Sequence, residues 1–132
     1  MRPRFRAGRR RASDPLAGYA KLLDEVAEIN SVLVDPAVVP APGSLADQEL
    51  RTARTLDTGT GRWGEEPVRA SYALAAINYF AALDQARAMV ALMNGGCTAV
   101  PVMVLGRSLI EVSSRAWWLL EPEIGVIARA ER

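Results

Sequence analysis

The sequence predicts an all-α fold, an antiparallel helical bundle of about four helices plus an incomplete fifth, behind an Arg-rich N-terminal arm. Three observations carry that reading. Four segments repeat apolar residues at the 3–4 spacing of a helix, clusters of proline and glycine separate them, and no stretch qualifies as a strand. Half of the 132 residues are apolar. A chain of this length buries roughly two-thirds of its unfolded surface and needs no disulfide or metal staple. The expected layout is a disordered arm over 1–13 and one helical domain over 14–132.

Asp14 followed by Pro15 suits a helix start. From there Leu16, Tyr19, Leu23, Val26, Asn30 and Leu33 trace one face, widened by Leu22 and Ile29, with Lys21, Asp24, Glu25 and Glu28 outward. Asp35-Pro36 stops it, because a residue before proline avoids the α region. The stretch 35–43 (DPAVVPAPG) reads as a stiff connector. Ser44, with Asp47 three residues on, approximates a capping box and starts a short helix to about Leu56.

Residues 57–66 (DTGTGRWGEE) read as a loop, with Trp63 tucked against the bundle. Pro67 opens the longest helix, about 67–93, with Glu65 and Glu66 placed to meet its N-terminal dipole. Tyr72, Ala76, Tyr79, Phe80, Leu83, Ala86, Val90 and Met93 form one stripe. Leu74, Ile77, Ala81, Ala88 and Leu92 cover much of the remainder, so this helix is expected to be central and buried on nearly all sides. Asn94-Gly95-Gly96 ends it.

The next helix, about 100–120, has Val102, Leu105, Leu109, Val112, Ala116 and Leu119 or Leu120 toward the core. Glu121-Pro122 breaks it, and residues 122–132 read as the first three turns of a further helix. That pattern runs to Arg132 with no C-cap. We therefore expect a chain that continues, and an unfinished bundle whose uncovered faces favour self-association or a protein partner.

Charge is unevenly placed. The formal +1 divides into six arginines within residues 1–12 and a remainder of ten basic and fifteen acidic groups, or −5. The arm residues Arg2, Arg4, Arg6, Arg9, Arg10 and Arg11 could contact phosphates, although Phe5 is the lone aromatic among them and the body is acidic. Arginine outnumbers lysine fifteen to one and alanine occurs 22 times, a bias we read as compositional rather than functional.

Composition excludes several chemistries. With no histidine in the chain, histidine general bases, Ser–His and Cys–His pairs and His-containing metal sites are ruled out. No residue pattern points to a metal or cofactor. The single cysteine, Cys97, cannot form an intramolecular disulfide and reads as a loop residue. No apolar segment follows the basic start, so a signal peptide is not expected. The uncharged run 88–106 is broken by Asn94-Gly95-Gly96 and Pro101 and falls short of the ~20 residues of a span. A cytoplasmic protein with no membrane attachment is the expectation. GTGRWG (59–64) has the glycine spacing of a dinucleotide loop, but a helix precedes it where a strand is required.

The notable charges lie on the two longest helices. Arg107, Glu111 and Arg115 follow one another at i, i+4, i+8, and Asp84 and Arg87 share a face of the preceding helix. An antiparallel hairpin would set these at similar depth, predicting a semi-buried network of Asp84 with Arg107 and Arg87 with Glu111, either an interhelical lock or a polar binding groove.

The segment VPVMVLGRSLIEVSSRAWWLL, preceded by YALAAINYFAALDQARAMVALM, resembles uncharacterised actinobacterial helical proteins that are distantly similar to HEPN-like and abortive-infection-type domains. The resemblance covers about residues 68–132. It rests on Asp84, Arg107, Glu111, Trp118 and Pro122; Gln85 stands where such proteins often carry a histidine. HEPN ribonucleases use an Arg with a His four to six residues later, so the resemblance implies a fold without that chemistry here. The expected role is a non-enzymatic interaction or structural module. Two alternatives are a degenerate HEPN-type nuclease or toxin-like protein lacking its catalytic residues, and nucleic-acid binding through the Arg arm.

Overall fold

The computed structural model describes residues 15–32, 39–57, 59, 61–95 and 99–132. Among the described residues five helices run in order: α1 (Pro15–Ser31), α2 (Leu45–Thr55), α3 (Glu66–Asn94), α4 (Ala99–Leu120) and α5 (Val126–Ala130). No strand occurs among the described residues; an isolated bridge joins Asp57 to Arg62. The all-α bundle expected from periodicity is thus the fold. The arm, Asp14, Leu33, Asp35-Pro36, Gly96 and Cys97 lie outside the described residues.

Helix α3 is the organising element and touches each of the other four. It forms an antiparallel hairpin with α4, whose Gly106 lies close to Met89. Helix α1 lies along α3 through Ala20 and Ala27, both almost fully buried. The Tyr79 hydroxyl on α3 donates to the Asn30 carbonyl at 2.8 Å, supplying a donor to one of the carbonyls that a helix end leaves unpaired.

The sequence reading of α2 holds at its start. Ser44 Oγ accepts from the Asp47 amide at 3.3 Å, and the Asp47 carboxylate accepts from Gly43 N at 2.8 Å. That contact and Arg51 hold the Asp47 carboxyl below the usual carboxylate range. Glu65 precedes α3 without capping it through its side chain. Instead it accepts from Arg54 at 2.6 Å and Arg69 at 2.8 Å, fastening α2 to the first turn of α3. Trp63 is half-buried, and Gly59, Gly61 and Gly64 all take positive φ, which shapes this segment as a loop.

Three expectations are corrected. The α1 face against α3 is the small-residue side, Ala20 and Ala27, while Tyr19, Val26 and Ile29 are exposed; alanines allow a closer backbone approach than the larger stripe would. Helix α3 is central but not enclosed, since Leu74 and Ile77 are exposed. Finally, the segment after Pro122 makes five helical residues rather than three turns. Glu123 and Gly125 both take positive φ, which redirects the chain and brings α5 against α3 and α2.

Of the eleven buried apolar residues among the described residues, six are alanine. The helices therefore pack closely while much of the large apolar side-chain surface stays outside. A compact cluster of Leu50, Ala53 and Val68, backed by Tyr72, Val126 and Ala130, joins α2, α3 and α5.

Candidate functional site

The five charges singled out on α3 and α4 do not form the predicted cross-helix network. Arg87 approaches Asp84 on its own helix at 4.0 Å, and Arg107 pairs with Glu111 one turn on at 3.1 Å. All four side chains are at least half exposed, and Arg115 is exposed without an ion-pair partner among the described residues. The physical reason is the rotation of the two helices. Their alanine-rich sides, Ala86 on α3 and Ala116 on α4, face inward, which turns the charges to water. There, local i,i+3 and i,i+4 pairs form without desolvation. Asp84 and Glu111 are thus separate surface carboxylates, each engaged with an arginine of its own helix.

The buried charge pair lies elsewhere. Arg129 of α5 is fully buried and Glu49 of α2 nearly so. The guanidinium grips the carboxylate in a bidentate fork, Nε to Oε2 at 2.6 Å and Nη2 to Oε1 at 3.2 Å. Its remaining donors reach the carbonyls of Leu119 and, at 2.9 Å, Glu121. The Tyr72 hydroxyl donates to Glu49 Oε2 at 2.6 Å, and the guanidinium stacks 4.9 Å from the Tyr72 ring. Burial, with Glu49 alongside, pushes the Tyr72 hydroxyl well above the usual phenol range. Arg132 adds a second cap. It donates to the Trp118 carbonyl and to the Glu121 carboxylate at 2.7 Å, and lies over the Trp118 ring at 4.7 Å. Two arginines thus satisfy the carbonyl end of α4, where positive charge is favoured.

Sequence reasoning missed this cluster, although each half left a signal. Glu49 falls on the same stripe as Ala46, Leu50 and Ala53, and Arg129 sits between Ala128 and Ala130. A charge on an apolar stripe calls for a partner; nothing in the sequence pairs positions 80 residues apart. Every strong donor and acceptor in the cluster is engaged inside the protein, so its chemistry is that of a lock.

The feature that faces outward is a cleft of about 460 Å³ between α1 and α4, floored by α3. Val26 and Asn30 line it from one side, Leu109, Ser113 and Trp117 from the other, and Ala82 and Ala86 form its base. A second hollow of about 280 Å³ continues from it past Tyr79 and Leu120 toward Pro40. No group of three or more Cys, Asp or Glu able to hold a metal occurs among the described residues. No described helix is long and apolar enough to cross a membrane. The fold and site define an all-α bundle with an open apolar cleft. Compared with known proteins, the chain matches no family model, no curated protein and no solved structure.

Proposed function

We propose that this protein is a non-enzymatic helical module that works by presenting the apolar surface around the α1–α4 cleft to a protein partner, and that it does so in the cytoplasm. One observation carries the reading: Val26 and Trp117 line the cleft while 46% and 74% exposed, and Tyr19, Met103 and Ile110 on the same two helices are 65–71% exposed. Apolar patches beyond a few hundred Å² on a soluble chain mark interaction sites. A catalytic role lacks support in the same residues. The chain has no histidine, and the Arg107 and Glu111 side chains that match the HEPN-like pattern bond to each other at the surface. That pattern supports a distant kinship with HEPN-like helical proteins at the level of fold, which we propose without its RNA-cleaving activity.

In-cell photo-crosslinking tests the reading. A photoreactive residue replacing Trp117 is expected to give discrete protein adducts, and one replacing Arg87, on the charged face of α3, is expected to give none. Absence of adducts at position 117, or equal labelling at both, overturns the proposal.

A further inference from the structure

The end of α4 is held from outside the helix. A helix leaves the carbonyls of its last turn without partners of their own, and such ends open at little cost unless something ties them. Here the tie comes from Arg129 of α5 and from Arg132 just beyond it. Arg132 donates to the Trp118 carbonyl. Arg129 donates to the next one, Leu119, and at 2.9 Å to the carbonyl of Glu121. Helix α5 itself packs against α3 and α2, and through these two side chains it grips the end of α4.

That same turn builds the cleft. Ala116, Trp117 and Leu120, all in the last stretch of α4, line it, and Leu120 also lines the second hollow. Leu119, between them, is buried and fixes where the turn sits. One anchor does not fix how the turn is rotated about the helix axis. Rotation decides where Trp117 and Leu120 project, because a helix spreads successive side chains around its axis at 3.6 residues per turn. Arg132 supplies the second anchor, lying 4.7 Å over the Trp118 ring and donating to the Glu121 carboxylate at 2.7 Å.

The grip is itself held at a distance. Arg129 is fully buried and forked onto Glu49 of α2, and the Ser71 hydroxyl of α3 reaches the Arg129 carbonyl at 3.0 Å. A contiguous run of contacts therefore leads from α2, through Glu49 and Arg129, to the backbone that carries Trp117 and Leu120.

We propose that Glu49, Arg129 and Arg132 form a positioning clasp for the cleft. Docking of α5 sets the last turn of α4, and with it the wall made by Trp117 and Leu120; releasing the clasp frays that turn and leaves α1 packed on α3. The consequence for partner binding rests on the interaction-module reading above, whereas the consequence for α4 does not.

Amide hydrogen exchange of the full chain, resolved by residue, tests the clasp. In Arg132→Ala the amides of residues 117–120 are expected to exchange about 10-fold faster or more, and those of residues 20–27 at the parent rate. The double variant Glu49→Leu with Arg129→Met removes the other half of the clasp with apolar replacements, which a buried pair often tolerates, and the same local acceleration is expected. Unchanged exchange over 117–120 in either folded variant overturns the proposal. So does acceleration spread equally over α1, or loss of helical circular dichroism in both variants, because the effect belongs to the end of α4 alone. If one variant fails to fold, the other decides. Photo-crosslinking at matched protein levels separates the two readings. Adducts at position 117 that form in the parent and are largely lost in Arg132→Ala support the coupling to partner binding; undiminished adducts overturn it. A parent chain without adducts rejects the interaction module, and the exchange rates still decide the clasp.

Discussion

Two of the Arg–Glu pairs of this chain have the same chemistry and opposite settings. Glu49 and Arg129 lie 80 residues apart, buried, bidentate and joined by Tyr72; Arg107 and Glu111 lie one turn apart in water. The first ties α2, α3, α5 and the end of α4 into one unit. The second tethers nothing, and beside it the large apolar residues of α4 are uncovered. One end of the molecule is closed by a lock, and the face along α1 and α4 stays open.

The comparison is broken most forcefully at Arg129. Arg129→Met leaves a buried carboxylate without its cation, and a loss of about 3–5 kcal/mol in stability is expected by urea unfolding. Adding Glu49→Leu should recover most of that loss, because replacing a whole buried pair with apolar side chains is often neutral. If the single variant is as stable as the parent, the lock does not exist. Tyr72→Phe comes next. It removes one hydrogen bond to a charged acceptor, and a loss of about 1.5–3 kcal/mol is expected in the same measurement.

A smaller effect is expected from acid. Asp47 is held below its ordinary value by the Gly43 amide and Arg51, and Glu65 by Arg54 and Arg69. Carboxyls with depressed folded-state values contribute stability that is present above their unfolded range and lost as pH falls through the folded value. The midpoint for unfolding should therefore drop below about pH 4, and Glu65→Gln should flatten that decline. A decline of unchanged slope in Glu65→Gln would remove Glu65 from the account. The smallest effects belong to the open side: alanine at Asp84, Arg87, Arg107, Glu111 or Arg115 should each change stability by no more than about 0.5 kcal/mol.

The fold class and most helix bounds were legible because capping and punctuation are local. Ser44 with Asp47, Pro67 and Glu121-Pro122 each mark an end through contacts a few residues long. The α4 core face was equally plain, since Ala116 and Leu119 follow the period. Rotation was harder to read. On α1 the apolar stripe and the alanine stripe are both periodic, and only packing against α3 decides that Ala20 and Ala27 go inside. The same rotation separates Asp84 from Arg107, which the sequence places at similar depth. Glu49 and Arg129 were out of reach for another reason. Their pairing depends on the turn at Glu123–Gly125, where a non-glycine residue takes positive φ and no sequence rule requires it.

The central claim is that the apolar surface around the α1–α4 cleft is made to be covered by a partner, and crosslinking from Trp117 in cells tests that most directly. A photoreactive residue at position 117 should give discrete protein adducts, while one at position 87, on the charged face of α3, should give none. Absence of adducts at position 117, or equal labelling at both positions, would contradict the claim.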